Sequence, residues 1–113
     1  MKAVQIWKEN ECLASQVAVA SDFVSRLKGL MFRKTLGKEE GLLLCGCSAI
    51  HCCFMRFPID VVYLDGDMNV LGKETVAPWR VGSIVKGTKN VLELNASAAD
   101  GLSEGMILSV KEA

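Results

Sequence analysis

Ser48-Ala49-Ile50-His51-Cys52-Cys53-Phe54-Met55-Arg56-Phe57-Pro58-Ile59-Asp60-Val61-Val62-Tyr63-Leu64-Asp65 is the longest apolar passage in the chain, and its polar residues are few. Residues 50–57 read as one strand. Pro58 has no backbone N–H and cannot sit mid-ladder, so it marks a bend. Residues 60–64 then resume as a second strand. Val62 and Leu64 point to one side, Val61 and Tyr63 to the other. Apolar residues on both sides are the mark of a strand covered on both faces. Asp65-Gly66-Asp67 closes the run with a hairpin signal, because Asp-Gly tolerates the positive φ of a tight turn.

Working outward, residues 3–8 and 12–19 read as strands around the polar turn Glu9-Asn10-Glu11. Ser21 is a good helix N-cap and Asp22 suits the positive end of the dipole. Phe23, Leu27, Leu30 and Met31 follow at i, i+4, i+7 and i+8, which predicts a helix with one apolar face. Leu42–Cys45 reads as a short buried strand. Residues 68–76 pair back on 60–64, and 83–86, 90–94 and 106–110 add further strands. Ser97–Leu102 predicts a single helical turn. Short strands separated by turn signals predict a small, mainly β (α+β) fold, a partly open β-barrel with one α-helix packed on it.

Composition limits the partners. The chain has 113 residues, half of them hydrophobic, and 13 Lys and Arg balance 13 Asp and Glu. A single domain over residues 1–113 can bury a real core at this length. Zero net charge and no run of like charges give no case for a nucleic-acid partner or a membrane surface. No apolar stretch approaches the roughly 20 residues of a membrane span. Met1–Trp7 is followed at once by Lys8, Glu9 and Glu11, which does not read as a signal peptide. Five cysteines, an odd number, argue against a closed disulfide framework and for free thiols.

The central run, with Arg26…Gly29-Leu30-Met31…Arg33, Gly41-Leu42-Leu43, Pro78-Trp79-Arg80 and Val91-Leu92-Glu93-Leu94, resembles the domain of unknown function 192 family of small prokaryotic proteins. The resemblance covers about residues 15–111. The family has no established biochemical activity. Its members often carry an export signal, so the reading here is a cytoplasmic protein. Gly101-Leu102-Ser103-Glu104-Gly105-Met106 resembles the Gly-x-x-x-Gly-Asp turn of relatives, with Met106 at the aspartate position. Without that acceptor, packing or Glu104 is expected to hold the turn.

Two groups of residues carry candidate chemistry. Cys45, Cys47, His51 and Cys53 offer four soft ligands, enough for tetrahedral zinc. As strand residues Cys45 and Cys47 would share a face, and so would His51 and Cys53. However, C-x-C followed by H-x-C is not a usual zinc spacing, and relatives carry Thr and an aromatic where Cys52 and Cys53 stand. Small buried cysteines are the plainer reading, so no cofactor is expected. A cysteine-dependent enzyme would have to pair Cys47 with His51, the sole histidine. The second group is polar residues among apolar neighbours: Arg33, His51, Arg56, Asp60 and Arg80. Buried charges of this kind are costly unless paired. They make either a structural ion-pair network or a cleft for a small anion. Trp79, in a loop beside Arg80, adds an aromatic surface, and Trp7 is a second one. The sequence therefore predicts a non-catalytic module that binds a small anionic ligand or a partner protein. Its site residues are Arg33, His51, Arg56, Asp60, Trp79 and Arg80.

Overall fold

The computed structural model describes residues 2–20, 36–47, 57–78 and 82–112. They form seven strands: β1 (Lys2–Lys8), β2 (Glu11–Ala20), β3 (Glu40–Cys45), β4 (Ile59–Leu64), β5 (Val70–Val76), β6 (Asn90–Asn95) and β7 (Leu108–Glu112). All seven belong to one sheet in the order β5-β4-β6-β3-β2-β1-β7. Only β2 and β3 run parallel, with Gln16 opposite Glu40; every other pair is antiparallel. The sheet curls into a half-barrel. Its two edges touch at one end through an Asn69–Ile107 bridge, with Val70 N donating to the Met106 carbonyl at 2.7 Å.

All six residues of β4 are buried. The two-sided apolar pattern explains why. Val62 and Leu64 enter an inner cluster with Val4, Ile6, Val17, Leu43, Leu92 and Leu94, to which every strand contributes. Ile59, Val61 and Tyr63 face outward into a second cluster with Ala20, Leu36, Leu42, Leu44, Val76 and Val91. Strands β3, β4 and β6 are thus the covered middle of the sheet. Gly41 is required there: a Cβ would stand 2.8 Å from Leu94 Cδ2 and 2.9 Å from the Glu93 carbonyl. The strands pack too closely at that point for any side chain.

Several local expectations change. Among the described residues there is no helix; the helix expected over 23–31 and the strand over 50–57 lie outside them. Residues 82–85 are not a strand. There the Thr88 hydroxyl and amide both donate to the Val85 carbonyl, closing a turn instead of a ladder. Residues 96–101 are a chain of turns rather than a helical one, with bonds from Ala98 N to Asn95 O and from Leu102 N to Ala99 O. This segment plugs the half-barrel: Ala99 and Leu102 enter the inner cluster, while Lys73 Nζ donates to the Ala99 and Asp100 carbonyls at 2.8 and 3.0 Å.

The Asp65 hairpin forms, but not through Gly66. The positive φ falls on Met68, at 67°. Asp65 shapes the turn by accepting from the Asp67 and Asn69 amides and from Asn69 Nδ2, all within 2.9 Å. The Asn69 side chain, then its amide, holds the Asp65 carboxyl below its ordinary pKa. In the 103–106 turn the missing aspartate has a substitute. Ser103 N donates to the Met106 thioether at 3.4 Å, and Met106 N returns a bond to the Ser103 carbonyl at 3.2 Å. Sulfur is a weak acceptor, and this is the place it fills.

Candidate functional site

Asp60 is 4% exposed and lies on the inner side of β4. Cross-strand pairing puts it opposite Thr75, whose hydroxyl donates to Oδ1 at 2.7 Å. Its other oxygen accepts from Ala99 N at 3.0 Å. Both oxygens are therefore used to tie β5 and the plug to β4. Of the two roles open to Asp60, structural or ligand-binding, this geometry supports the structural one, with a hydroxyl and an amide as partners.

That arrangement makes a prediction. Asp60→Ala leaves the buried Ala99 amide without an acceptor and is expected to cost roughly 1–3 kcal/mol. Asp60→Asn keeps one oxygen for that amide and should cost less. Chemical denaturation of both variants checks this. Equal losses, or a loss under about 0.5 kcal/mol for alanine, would contradict it.

The outer face carries different polar groups. Register places Glu74 opposite Val61, Val61 opposite Glu93, and Glu93 opposite Leu42. These four form one row across β5, β4, β6 and β3. Glu74 Oε2 accepts from the Tyr63 hydroxyl at 2.6 Å and from Ser83 N at 2.7 Å. Partial burial works against its charge, but these donors outweigh it and hold its pKa below the ordinary value. Glu93 is only 3% exposed, with Leu92 and Leu94 beside it turned inward. No described residue gives its carboxyl a cation or a hydrogen bond that offsets burial, and desolvation pushes its pKa up to about 8. It is a neutral acid at physiological pH.

The two described cysteines of the alternative zinc set lie on different faces of the sheet. Cys45 packs on the inner cluster and Cys47 on the outer one. Gly46, at φ 68°, breaks the strand alternation between them. Cys45 and Cys47 therefore do not share a face, contrary to the strand-alternation expectation; His51 and Cys53 lie outside the described residues.

Arg33, His51, Arg56, Trp79 and Arg80 also lie outside the described residues, but the places where their segments leave the sheet do not. Ala20 and Leu36 flank residues 21–35, Cys47 and Phe57 flank 48–56, and Val76 and Val85 lie on either side of 79–81. All six pack in the outer cluster. The second tryptophan, Trp7, is half-buried on β1, with Lys111 Nζ 4.1 Å from its ring centroid. Sequence reasoning missed Glu93, Glu74 and Tyr63 as candidates. The available signal was a single acid inside an apolar strand, Val91-Leu92-Glu93-Leu94.

The chain matches the family described as "DUF192: Uncharacterized ACR" over residues 4–110, and it belongs to that family. A UPF0127 protein of Pyrococcus horikoshii is 35% identical over 58% of this chain and 60% of its own length. A UPF0127 protein of Pyrococcus furiosus is 30% identical over 77% of this chain and 84% of its own. Among solved structures, a Novosphingobium aromaticivorans protein of unknown function superposes with a TM-score of 0.81 at 23% identity, covering 95% of this chain and 83% of its own. A Sinorhizobium meliloti protein superposes with a TM-score of 0.78 at 22% identity, covering 96% of this chain and 92% of its own. At these identities the structures share the fold alone. Among the described residues, no helix is long and apolar enough to cross a membrane.

Proposed function

We propose that this member of the DUF192 family is a small non-catalytic module that binds a small anionic ligand on the outer face of its sheet. Arg33, His51, Arg56, Trp79 and Arg80 are its contact residues. The observation that carries the reading is where their segments adjoin the sheet: Ala20, Leu36, Cys47, Phe57, Val76 and Val85, on either side of them, pack in the outer cluster. Asp60 is turned to the inner face and is used inside the fold. Glu93, held neutral by burial, adds no repulsion to an incoming anion. Guanidinium groups suit this task because they offer paired donors to a carboxylate or phosphate.

Thermal unfolding in the presence of inorganic phosphate and of citrate tests it. A ligand at a hundredfold excess over its Kd stabilises by about 2.7 kcal/mol, so the melting temperature should climb with concentration. Arg56→Met should melt normally without anion and climb clearly less than the wild type. A wild-type melting temperature insensitive to both anions would overturn the proposal.

A further inference from the structure

Three loops meet at the end of the sheet where β3 and β4 finish. Gly46 and Cys47 follow β3, Gly66 lies in the β4–β5 hairpin, and Thr88, Lys89 and Asn90 lead into β6. Together they line an open groove of about 420 Å³. That volume falls within the roughly 300–1,000 Å³ of small-molecule sites.

The walls are pinned from behind. Asn90 Oδ1 accepts from Gly46 N at 3.2 Å, and Asn90 Nδ2 donates to the Asp65 carbonyl at 3.1 Å. Lys89 N donates to the Leu64 carbonyl at 2.8 Å. The Asp65 carboxylate is turned into its own hairpin. The Asn90 amide oxygen and the Asp65 carboxylate are thus committed to the fold, and the Lys89 ammonium is the charged group that lines the groove. Lys89 is exposed and its ammonium makes no hydrogen bond or ion pair with a described residue. Its stem runs past Gly66, with Cγ 4.0 Å from where a Cβ would stand.

We infer that this groove binds a small oxyanion, a carboxylate or phosphate, anchored by the Lys89 ammonium with the Cys47 thiol beside it. The site is built from other residues than the outer-face contacts and does not depend on them.

Alkylation reads it out. Iodoacetate transfers a carboxymethyl group to sulfur and iodoacetamide a carbamidomethyl group: the thiolate forms the S–C bond, iodide leaves with the C–I electron pair, and the thiol proton goes to solvent. Only iodoacetate carries the anion. Cys12, half-buried on β2 away from the groove, is the internal control. Peptide mass spectrometry should show an iodoacetate-to-iodoacetamide rate ratio severalfold higher at Cys47 than at Cys12. Lys89→Met, a surface change that should leave melting unaltered, should bring the two ratios together, and inorganic phosphate should do the same in the wild type. Equal ratios in the wild type, or a Cys47 preference unmoved by both Lys89→Met and phosphate, would overturn the inference. If Cys47 reacts too slowly with either reagent, a phosphate titration followed by amide NMR decides. Shifts at Gly46, Gly66 and Lys89 that vanish in Lys89→Met support the site, and no shifts overturn it.

Discussion

Glu93→Gln is expected to stabilise the protein at neutral and alkaline pH and to do little in acid. The sign follows from the raised pKa. The carboxyl titrates near 4.5 when unfolded and at about 8 when folded. Below 4.5 it is protonated in both states, and its contribution is at its most favourable. Between those values the unfolded chain releases the proton while the folded chain keeps it, so stability falls as pH rises. Above about 8 both states are ionised and the loss levels off. At 1.36 kcal/mol per pKa unit, the whole loss is roughly 3–6 kcal/mol. Glutamine has the same shape and no charge to bury, so it should recover about 2–3 kcal/mol at pH 7. Urea unfolding of both proteins from pH 4 to pH 9 checks this: the wild-type curve should slope down and the variant's should stay flat by comparison. Parallel curves would show that Glu93 is solvated or paired.

Leu64→Ala comes next in size. Leu64 is fully buried at the end of β4, within the inner cluster. Its removal should cost about 2–4 kcal/mol, and Val62→Ala somewhat less, through lost transfer energy and a residual cavity. Chemical denaturation measures both. Losses under about 0.5 kcal/mol at both positions would mean that β4 is not the covered centre of the sheet.

Residues 59–64 were legible because two apolar faces on one short strand leave only a doubly covered position. The hairpin after them was legible in place but not in mechanism. Asp65 shapes the turn through its side chain, and the positive φ moved to Met68. Residues 83–86 looked like a strand from composition, yet Thr88 closes a turn on Val85 and leaves Ile84 87% exposed. The pairing of Cys45 with Cys47 failed for one reason. A period-2 argument assumes an unbroken strand, and Gly46 breaks it in the left-handed region. Met106 was read as a lost acceptor, but its thioether still accepts from Ser103.

The candidate residues could be listed from the sequence, but the side of the sheet that Asp60 takes could not. Asp60 and the arginines looked alike in sequence, each a charge among apolar neighbours. What separates Asp60 is strand parity and the distant partners Thr75 and Ala99, neither adjacent in sequence. Glu93 has the same difficulty. One acid in Val91–Leu94 does not show whether a partner waits across the sheet.

The account rests on a sheet whose outer face is sealed well enough to keep Glu93 neutral. An NMR titration that follows the Glu93 carboxyl carbon in the folded protein tests this most directly. The predicted midpoint is about 8; a midpoint at the ordinary 4.5 would contradict the sealed outer face.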